Sequence, residues 1–219
     1  MIRVILCDDH ALIRRGIRDT LSDAPDIRVI GEAGDYGELR ALMRTLAAET
    51  GGGTPCDVLV LDINLPGRSG LDVLHALKDE GSPIKVLVVS MYPEDQYAIR
   101  ALRAGAYGYV NKGGDPQTIV NAVRTVAQGR KYVTPEIAQM LVESLTAPAT
   151  ENPHEKLSDR ELQTLVMIAS GKRLADIAED LTLSPKTVSV YRARVLEKLG
   201  LTNNAELTVY AIRNGLVGE

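Results

Sequence analysis

The sequence predicts an α/β domain with a doubly wound, five-stranded parallel sheet, followed by an all-α domain of four helices. Over about the first 130 residues, short apolar runs rich in β-branched residues alternate with longer helical patterns. Two of these runs, VLVLD and KVLVVS, are continuously apolar, which is typical of strands buried on both faces of a parallel sheet. A chain of 219 residues is also long enough for two domains.

The elements of the first domain follow from this alternation. Strands are predicted at residues 2–7, 28–33, 58–61, 85–90 and 107–110. Helices are predicted to begin near His10, Asp35, Ser69, Pro93 and Asp115. The GGGTP segment at 51–55 falls between a helix and a strand, so we interpret it as a lengthened surface loop. In doubly wound folds, binding sites lie outside the carboxyl ends of the strands.

The second domain is predicted from helix start and stop signals. Ser158 and Glu161 form a capping box for a helix that ends near Gly171. A second helix covers residues 174–181, and Ser184 followed by Pro185 begins a third. The third helix ends at Gly200, and a fourth covers residues 204–214. Two short helices joined by a tight turn, the second of them basic, are typical of a helix-turn-helix.

The connection between the domains is predicted to be a linker. From about residue 143 the segment ESLTAPATENPHEK contains two prolines and several small residues, with no apolar period. We therefore divide the chain into a first domain at 1–128, a connecting helix and linker at 129–155, and a helix-turn-helix domain at 156–219.

Composition excludes several classes of protein. The chain has no Phe and no Trp, so its core should be aliphatic, and binding of single-stranded nucleic acid by base stacking is disfavoured. The sequence contains no run of about 20 apolar residues, so no membrane-spanning helix is expected. Cys7 and Cys56 are too few and too far apart for a disulfide scaffold or a metal motif, so buried thiols are expected. The start MIRVILCDDH lacks the features of a secretion signal, so we expect a cytoplasmic protein.

Charge is informative only locally. The net charge is −4, and neither half of the chain is basic overall. The stretch from Ser184 to Gly200, however, contains four basic side chains against Glu197 alone. A local basic helix can supply phosphate contacts even where the domain is neutral.

Polar residues follow three of the predicted strands and end a fourth. Asp8 and Asp9 come after the first strand, Asp62 after the third, and Lys112 after the fifth, while Ser90 ends the fourth. Three converging carboxylates would repel one another, and a Mg²⁺ ion removes that difficulty. A carboxylate can then attack phosphorus, while metal and lysine neutralise the charge of the transferring group. Each residue alone has an ordinary alternative, such as a helix cap, a turn or a solvated lysine; their joint placement predicts phosphoryl chemistry.

These motifs resemble the receiver domains of two-component response regulators over about residues 1–128. The matching segments are ILCDDH, LVLDINLPGRSGLDVL, VVSM and ALRAGAYGYVNK. The resemblance implies a sheet of flavodoxin-like strand order and a phosphoacceptor at Asp62, assisted by Lys112 and Ser90. It also implies a Mg²⁺ site made by Asp8, Asp9, Asp62 and the Asn64 backbone carbonyl. Ser90 and Tyr109 resemble the switch pair, in which the hydroxyl turns toward the phosphoryl group and the ring swings inward.

The second domain resembles the LuxR-type helix-turn-helix, and the whole chain resembles the NarL/FixJ class of regulators. The segment LSDRELQTLVMIASGKRLADIAEDLTLSPKTVSVYRARVLEKLG carries this resemblance, with Pro185–Leu199 as the recognition helix. Its core-facing residues are expected to be Val188, Val195, Leu196 and Leu199. The expected phosphate contacts are Lys186, Thr187, Arg192, Arg194 and Lys198, and the residues facing base edges are Ser189, Val190 and Ala193. The implied partners are a sensor histidine kinase, double-stranded DNA and a second copy of the chain when active.

Two other functions are compatible with parts of the pattern. Haloacid-dehalogenase-type phosphatases also use a nucleophilic Asp, a Ser or Thr and a Lys, but typically place a second Asp two residues after the nucleophile. Asn64 stands there in this chain, so we expect a protein that loses its phosphoryl group slowly rather than an enzyme. The remaining alternative is a regulator of DNA or of a protein partner that works without phosphorylation.

Overall fold

The structure is a computed structural model that describes residues 1–92, 94–146 and 153–217, with backbone alone at 94–96 and 144–146. The chain divides into two compact units, residues 1–146 and 147–219, which are treated separately below.

The first unit contains five strands and six helices within the described residues. The strands are β1 (Ile2–Cys7), β2 (Ile27–Ala33), β3 (Val58–Leu61), β4 (Lys85–Ser90) and β5 (Gly108–Asn111). The helices are α1 (Ala11–Ser22), α2 (Tyr36–Glu49), α3 (Gly70–Asp79), α4 (Glu94–Ala104), α5 (Pro116–Ala127) and α6 (Pro135–Thr146). All strand pairs are parallel, in the order β2-β1-β3-β4-β5. This confirms the predicted fold and strand order.

The core is mainly aliphatic, as the composition predicts. β1, β3, β4 and β5 are almost entirely buried, which explains their continuous apolar sequences. Two aromatic side chains, Tyr97 and Tyr109, are nevertheless fully buried too, so the core is not wholly aliphatic. Cys7 and Cys56 are free, buried thiols, and burial raises the pKa of each to about 12.

Several boundaries differ from the predictions. β2 begins one residue earlier, at Ile27, and β5 lies one residue later, because Asn111 still pairs with Ser90. The predicted linker does not begin at residue 143. Helix α6 continues to Thr146 because Gln139 and Glu143 bond across one turn and Ile137 anchors the helix in the core. The helix start expected near Pro93 and the linker at 147–152 lie outside the described residues.

The second unit begins, in its described part, with a 3-10 turn at Pro153–Lys156. Its helices are α7 (Asp159–Ala169), α8 (Leu174–Asp180), α9 (Pro185–Leu199) and α10 (Asn204–Arg213). The predicted capping box of Ser158 with Glu161 is present, and Ser184 caps α9. Gly200 ends α9 in the left-handed conformation, with φ 66°. No helix in the described ranges combines the length and hydropathy needed to cross a membrane.

Candidate functional site

The acidic residues lie where the carboxyl ends of the strands meet. Backbone hydrogen bonds continue past the strand ends: the Asp62 N–H donates to the Cys7 carbonyl at 2.9 Å, and the Lys112 N–H donates to the Ser90 carbonyl at 2.8 Å. Because these bonds extend the parallel register, the side chains after β1, β3 and β5 enter one pocket. The structure thus brings together the residues that the sequence singles out.

The Lys112 ammonium lies between two carboxylates in this pocket. Its Nζ is 2.6 Å from Asp8 Oδ2 and 2.8 Å from Asp62 Oδ2. All three side chains are almost fully buried, with exposed fractions of 3–5%. A buried carboxylate pair is strongly unfavourable without a cation, so Lys112 is required to hold the two acids close together.

Burial dominates the electrostatics of Asp62. It raises the pKa of this carboxyl from 3.8 to about 6, against the attraction of Lys112 and a hydrogen bond from the Asn64 backbone N–H. The neighbouring Asp8 carboxylate acts in the same direction as burial. The charged form of Asp62 is therefore held at a cost, and a bound cation would lower that cost.

The donor set of the pocket is suited to a divalent cation. Within the described part of the chain, Asp8, Asp9, His10 and Asp62 offer ligand atoms that all lie within 4.8 Å of one another. In the same range, Asp62 Oδ1 and Asn64 Oδ1 are buried oxygens without a hydrogen-bond partner. Unpaired buried oxygens beside carboxylates are what a Mg²⁺ ion would satisfy.

A glycine sets how closely α3 approaches the Asp62 loop. A β-carbon at Gly70 would lie 2.0 Å from the Asp62 carbonyl oxygen, while the Gly70 N–H donates to the Ile63 carbonyl at 2.8 Å. Only glycine permits this contact, so Gly70 fixes the backbone that carries Asp62.

Sequence reasoning missed two residues of this pocket, Arg14 and His10. The Arg14 guanidinium donates to the Asp8 carbonyl and, at 3.2 Å, to a carboxylate oxygen of Glu32, which ties the loop after β1 to the end of β2. The His10 N–H donates to Asp8 Oδ1 at 2.9 Å, and its ring Nδ1 lies 2.6 Å from Asp9 Oδ1. The signal for His10 was its position directly after the two acids.

The predicted switch residues share one contact. Ser90 is buried, and its Oγ accepts a hydrogen bond from the Tyr92 N–H at 3.3 Å. The Tyr109 hydroxyl donates to the Tyr92 carbonyl at 2.7 Å. The Tyr109 ring is already fully buried, so the structure has the inward position, and a swing between two positions stays a prediction.

The predicted recognition helix presents its proposed DNA-facing residues at the surface. Val188 and Val195 are fully buried and Leu196 and Leu199 are half-buried, so the predicted core-facing stripe is confirmed. Of the eight expected DNA contacts, five lie exposed on the surface of α9: Lys186, Ser189, Val190, Ala193 and Arg194. Thr187 is half-buried, and its hydroxyl lies 2.8 Å from that of the cap residue Ser184. Arg192 is half-buried and donates to the Asn204 side chain on α10 at 2.5 Å.

Lys198 has a structural contact that the sequence did not indicate. Its Nζ lies 2.6 Å from Glu161 Oε2, and the Glu161 side chain is only 3% exposed. Burial opposes the charge on Glu161, but hydrogen bonds from Lys198 and Ser158 outweigh it and hold the pKa of this carboxyl below its usual value. Lys198 therefore connects α9 to the capping box of α7, and its contact with DNA phosphate stays a prediction.

Comparison with known proteins agrees with this architecture. Residues 4–124 match the family described as response regulator receiver domain, and residues 155–211 match bacterial regulatory proteins of the luxR family. The chain belongs to the response regulator family. The order of the two matched domains confirms the resemblance to the NarL/FixJ class.

Individual response regulators are similar over nearly the whole chain. Response regulator UvrY of Escherichia coli strain K12 is 39% identical, with 99% of this chain and 96% of the relative covered. Response regulator GacA of Pseudomonas aeruginosa is 38% identical, with 99% and 98% covered. Among solved structures, RcsB of Salmonella enterica serovar Typhimurium, bound to promoter rprA in the presence of the phosphomimetic BeF₃⁻, is 26% identical with a TM-score of 0.62. That alignment covers 95% of this chain and 97% of the RcsB chain.

The raised pKa of Asp62 predicts a pH-dependent effect of Asp62→Asn on stability. The folded state binds the Asp62 proton more tightly than the unfolded chain, so this carboxyl lowers the free energy of unfolding as pH rises from about 4 to about 6. The neutral amide lacks this effect. In metal-free buffer, the variant should gain on the order of 1–3 kcal/mol over the native chain across that window and keep the gain above it.

Urea unfolding at a series of pH values, with EDTA present, measures this difference. The exposed Asp79→Asn on α3 is the control and should show no such rise. A difference between Asp62→Asn and the native chain that stays flat with pH would contradict the electrostatic account.

The Lys198–Glu161 pair predicts that Lys198→Ala destabilises the second unit. Removal of the ammonium leaves a buried carboxylate without its cation, and because Lys198 is partly exposed we expect a loss of about 1–2 kcal/mol. The lowered pKa of Glu161 contributes stability that is lost as pH falls through it, and because the variant lacks the lowering effect of Lys198, it should lose less stability on acidification than the native chain. Thermal unfolding and amide hydrogen exchange in α7 measure the effect. The exposed Lys186→Ala on the same helix is the matched control, and equal stability of the two variants would argue against the pair.

Proposed function

We propose that this response regulator accepts a phosphoryl group on Asp62 and thereby controls the binding of α9 to double-stranded DNA. The observation that carries the proposal is the buried Lys112 ammonium, within 2.8 Å of both Asp8 and Asp62. An ion pair placed at the meeting point of three strand ends, beside buried oxygens without partners, is costly to maintain for stability alone. Its cost is understandable if the pocket receives a metal ion and a phosphoryl group.

The chemistry follows from the placement of each group. When held by Asp8, Asp9, Asp62 and the Asn64 carbonyl, Mg²⁺ supplies positive charge for the transferring phosphoryl group. A carboxylate oxygen of Asp62 attacks phosphorus, and the bond from phosphorus to the donor breaks as the new acyl phosphate forms. Lys112 can then leave Asp62 Oδ2 and pair with a phosphoryl oxygen, because the negative charge moves from the carboxylate to the phosphoryl group. Lys112 therefore has an anionic partner before and after transfer, and the bound Mg²⁺ would offset the negative charge that the phosphoryl group adds.

Ser90 and Tyr109 are proposed to report the phosphoryl group to the surface. The Ser90 Oγ accepts from the Tyr92 N–H, and its own O–H can donate to a phosphoryl oxygen when the side chain turns toward the phosphoryl group. The Tyr109 hydroxyl donates to the carbonyl of Tyr92, so a displacement of Tyr92 would alter the hydrogen bonds of both Ser90 and Tyr109. The Tyr92 ring also stacks on Tyr97 of α4, with centroids 4.7 Å apart, which gives a physical route from the pocket to that helix.

The second unit supplies the DNA-binding surface in this proposal. The exposed basic residues Lys186 and Arg194 would contact phosphates, and the small side chains of α9 would face base edges. Small apolar readers discriminate weakly, so specific binding calls for two copies on paired half-sites. The phosphoryl donor would be a sensor histidine kinase, and a protein that meets both this kinase and DNA would work in the cytoplasm. Loss of the phosphoryl group would be slow, because Asn64 cannot serve as a general base.

The proposal predicts that Asp62→Asn abolishes phosphorylation. Incubation with acetyl phosphate and Mg²⁺ should add one phosphoryl group to the native chain, measured by intact mass, and none to the variant, which lacks the nucleophilic oxygen. Asp79→Asn, on the surface of α3, should be phosphorylated like the native chain. Absence of a mass gain in the native chain would favour the regulator that works without phosphorylation.

Phosphorylation and basic residues of α9 should act separately on DNA affinity. With a duplex selected from a random-sequence pool by the phosphorylated protein, we expect tighter binding by the phosphorylated than by the unphosphorylated chain. Lys186→Ala and Arg194→Ala should each weaken binding and reduce the slope of log K against log salt by about 1. Fluorescence anisotropy at several salt concentrations measures both quantities. Arg15→Ala, exposed on α1, is the control, and an unchanged slope in both α9 variants would refute the assignment.

A further inference from the structure

We propose that Lys131 is a site of acylation by small acyl phosphates such as acetyl phosphate, and that the modification loosens the segment that leads from α5 into α6. Lys131 donates to the carbonyl of Ala106, two residues before β5 begins, so its amine lies at the amino end of this strand. The acidic pocket lies at the opposite, carboxyl ends of the strands. The proposal therefore concerns a second nucleophile and does not rest on the chemistry of Asp62.

The Lys131 ammonium is held by neutral groups. Its Nζ donates to the Ala106 carbonyl at 2.5 Å and lies 4.5 Å from the centroid of the Tyr107 ring. Within the described ranges no ion pair includes Lys131, whereas carboxylates pair with Lys112 and Lys172 at 2.5–2.8 Å. The proton on Lys131 is therefore held without a full counter-charge, although the residue is exposed and open to a small reagent.

A second ammonium approaches the same turn. The stem of Lys78, in the last turn of α3, runs beside Gly105, where a β-carbon would lie 3.5 Å from Lys78 Cδ. Gly105 directly precedes Ala106, whose carbonyl accepts from Lys131. Burial and the Lys78 charge both favour the neutral amine, and together they lower the pKa of Lys131. Desolvation and a neighbouring cation are the two features that turn a lysine into an amine nucleophile.

The surrounding charges suit an anionic donor. Arg130 precedes Lys131 in the chain and donates to the neutral Gln128 side chain at 2.5 Å. Within the described residues no ion pair includes Lys78 or Arg130, so both retain a full positive charge for an anion. Acetyl phosphate is a small anion with an activated carbonyl group. Its phosphate group would be attracted to these cations while its carbonyl carbon meets the Lys131 amine.

The reaction is an acyl transfer to nitrogen. The neutral amine keeps one N–H on the Ala106 carbonyl, and its lone pair attacks the carbonyl carbon of acetyl phosphate. The bond from that carbon to the bridging oxygen breaks, inorganic phosphate leaves with the electron pair, and the nitrogen gives a proton to water. Asp62 would break the other bond of the same bridging oxygen, the one to phosphorus. One donor can thus modify the chain in two chemically distinct ways.

Acetylation would weaken the attachment of the segment before α6. The Tyr132 N–H donates to the Tyr107 carbonyl at 2.7 Å, and Tyr132 forms an isolated bridge with Gly108 of β5. Lys131 strengthens this attachment through its charge, which attracts both the Ala106 carbonyl and the Tyr107 ring. An acetylated lysine is a neutral amide, so the attraction to the ring is lost and the bond to the carbonyl is weakened. The lead-in to α6 is therefore held less firmly against β5.

The experiment treats the full native chain with acetyl phosphate in EDTA and follows acetylation of each lysine by peptide mass spectrometry. Lys156 and Lys186, both exposed in the second unit, are the controls. At about pH 7.5, Lys131 should be acetylated at least about threefold faster than either control. This ratio should fall as pH rises toward about 10, where ordinary lysines also lose their proton. Equal rates at about pH 7.5, or a ratio that does not change with pH, would overturn the modification site.

A charge-removing variant tests the part assigned to Lys78. In Lys78→Gln the acetylation rate of Lys131 should fall toward that of Lys186, because the neighbouring cation is gone. Arg44→Gln, which removes an exposed charge from α2, is the matched control and should leave the rate unchanged. A Lys131 rate that is the same in Lys78→Gln and in the native chain would contradict the role of the second ammonium.

The structural consequence is measured by amide hydrogen exchange at Tyr132. Lys131→Gln imitates the neutral acetylated side chain, whereas Lys131→Arg keeps the charge and the contact with the Tyr107 ring. We expect the Tyr132 amide to exchange at least about twofold faster in Lys131→Gln than in Lys131→Arg. Equal exchange in the two variants would overturn the effect on the segment before α6. The acetylation rates of the native chain need no variant, so they test the site even if a variant folds poorly.

Discussion

The Lys112 ammonium between the Asp8 and Asp62 carboxylates is the interaction on which the organisation of the first unit depends. Two buried acids within reach of one cation are stable only while all three charges stay in register. That register is set by parallel pairing of β1 with β3, of β3 with β4 and of β4 with β5, which delivers the three side chains to one edge. The site therefore depends directly on the order and register of the strands, because a shift of a single strand would leave a buried charge unpaired.

Close contacts with the backbone of the pocket support this charge arrangement. Gly70 lets the first turn of α3 rest against the Asp62 carbonyl, and Arg14 ties the loop of Asp8 to β2. These contacts fix backbone rather than side chains, so the acids cannot relax apart to relieve their repulsion. The strain of the site appears instead in the raised pKa of Asp62. Because the negative charge of Asp62 is held at a cost, a bound cation would lower that cost, and a change in this charge would alter the contacts of the pocket.

The second unit shows that basic residues of one helix can have different roles. Arg194 and Lys186 project from α9 into solvent, whereas Lys198, at its carboxyl end, is taken up by the buried Glu161. A charge count along α9 treats these cations as equal. The packing of α9 on α7 separates them, because the capping carboxylate of α7 lies within reach of the last turn of α9 and not of the first.

The sequence by itself determined the fold class, the strand order through the family resemblance, the helix caps and the position of the acids. These features depend on local periodicity and on residues at strand ends, which can be identified without knowing what packs against them. Only the tertiary structure decided that Asp62 is destabilised by burial, that His10 and Arg14 belong to the pocket, that α6 continues to Thr146, and that Lys198 holds α7. These depend on which groups from distant positions exclude water from one another, and periodicity along the chain contains no information about that.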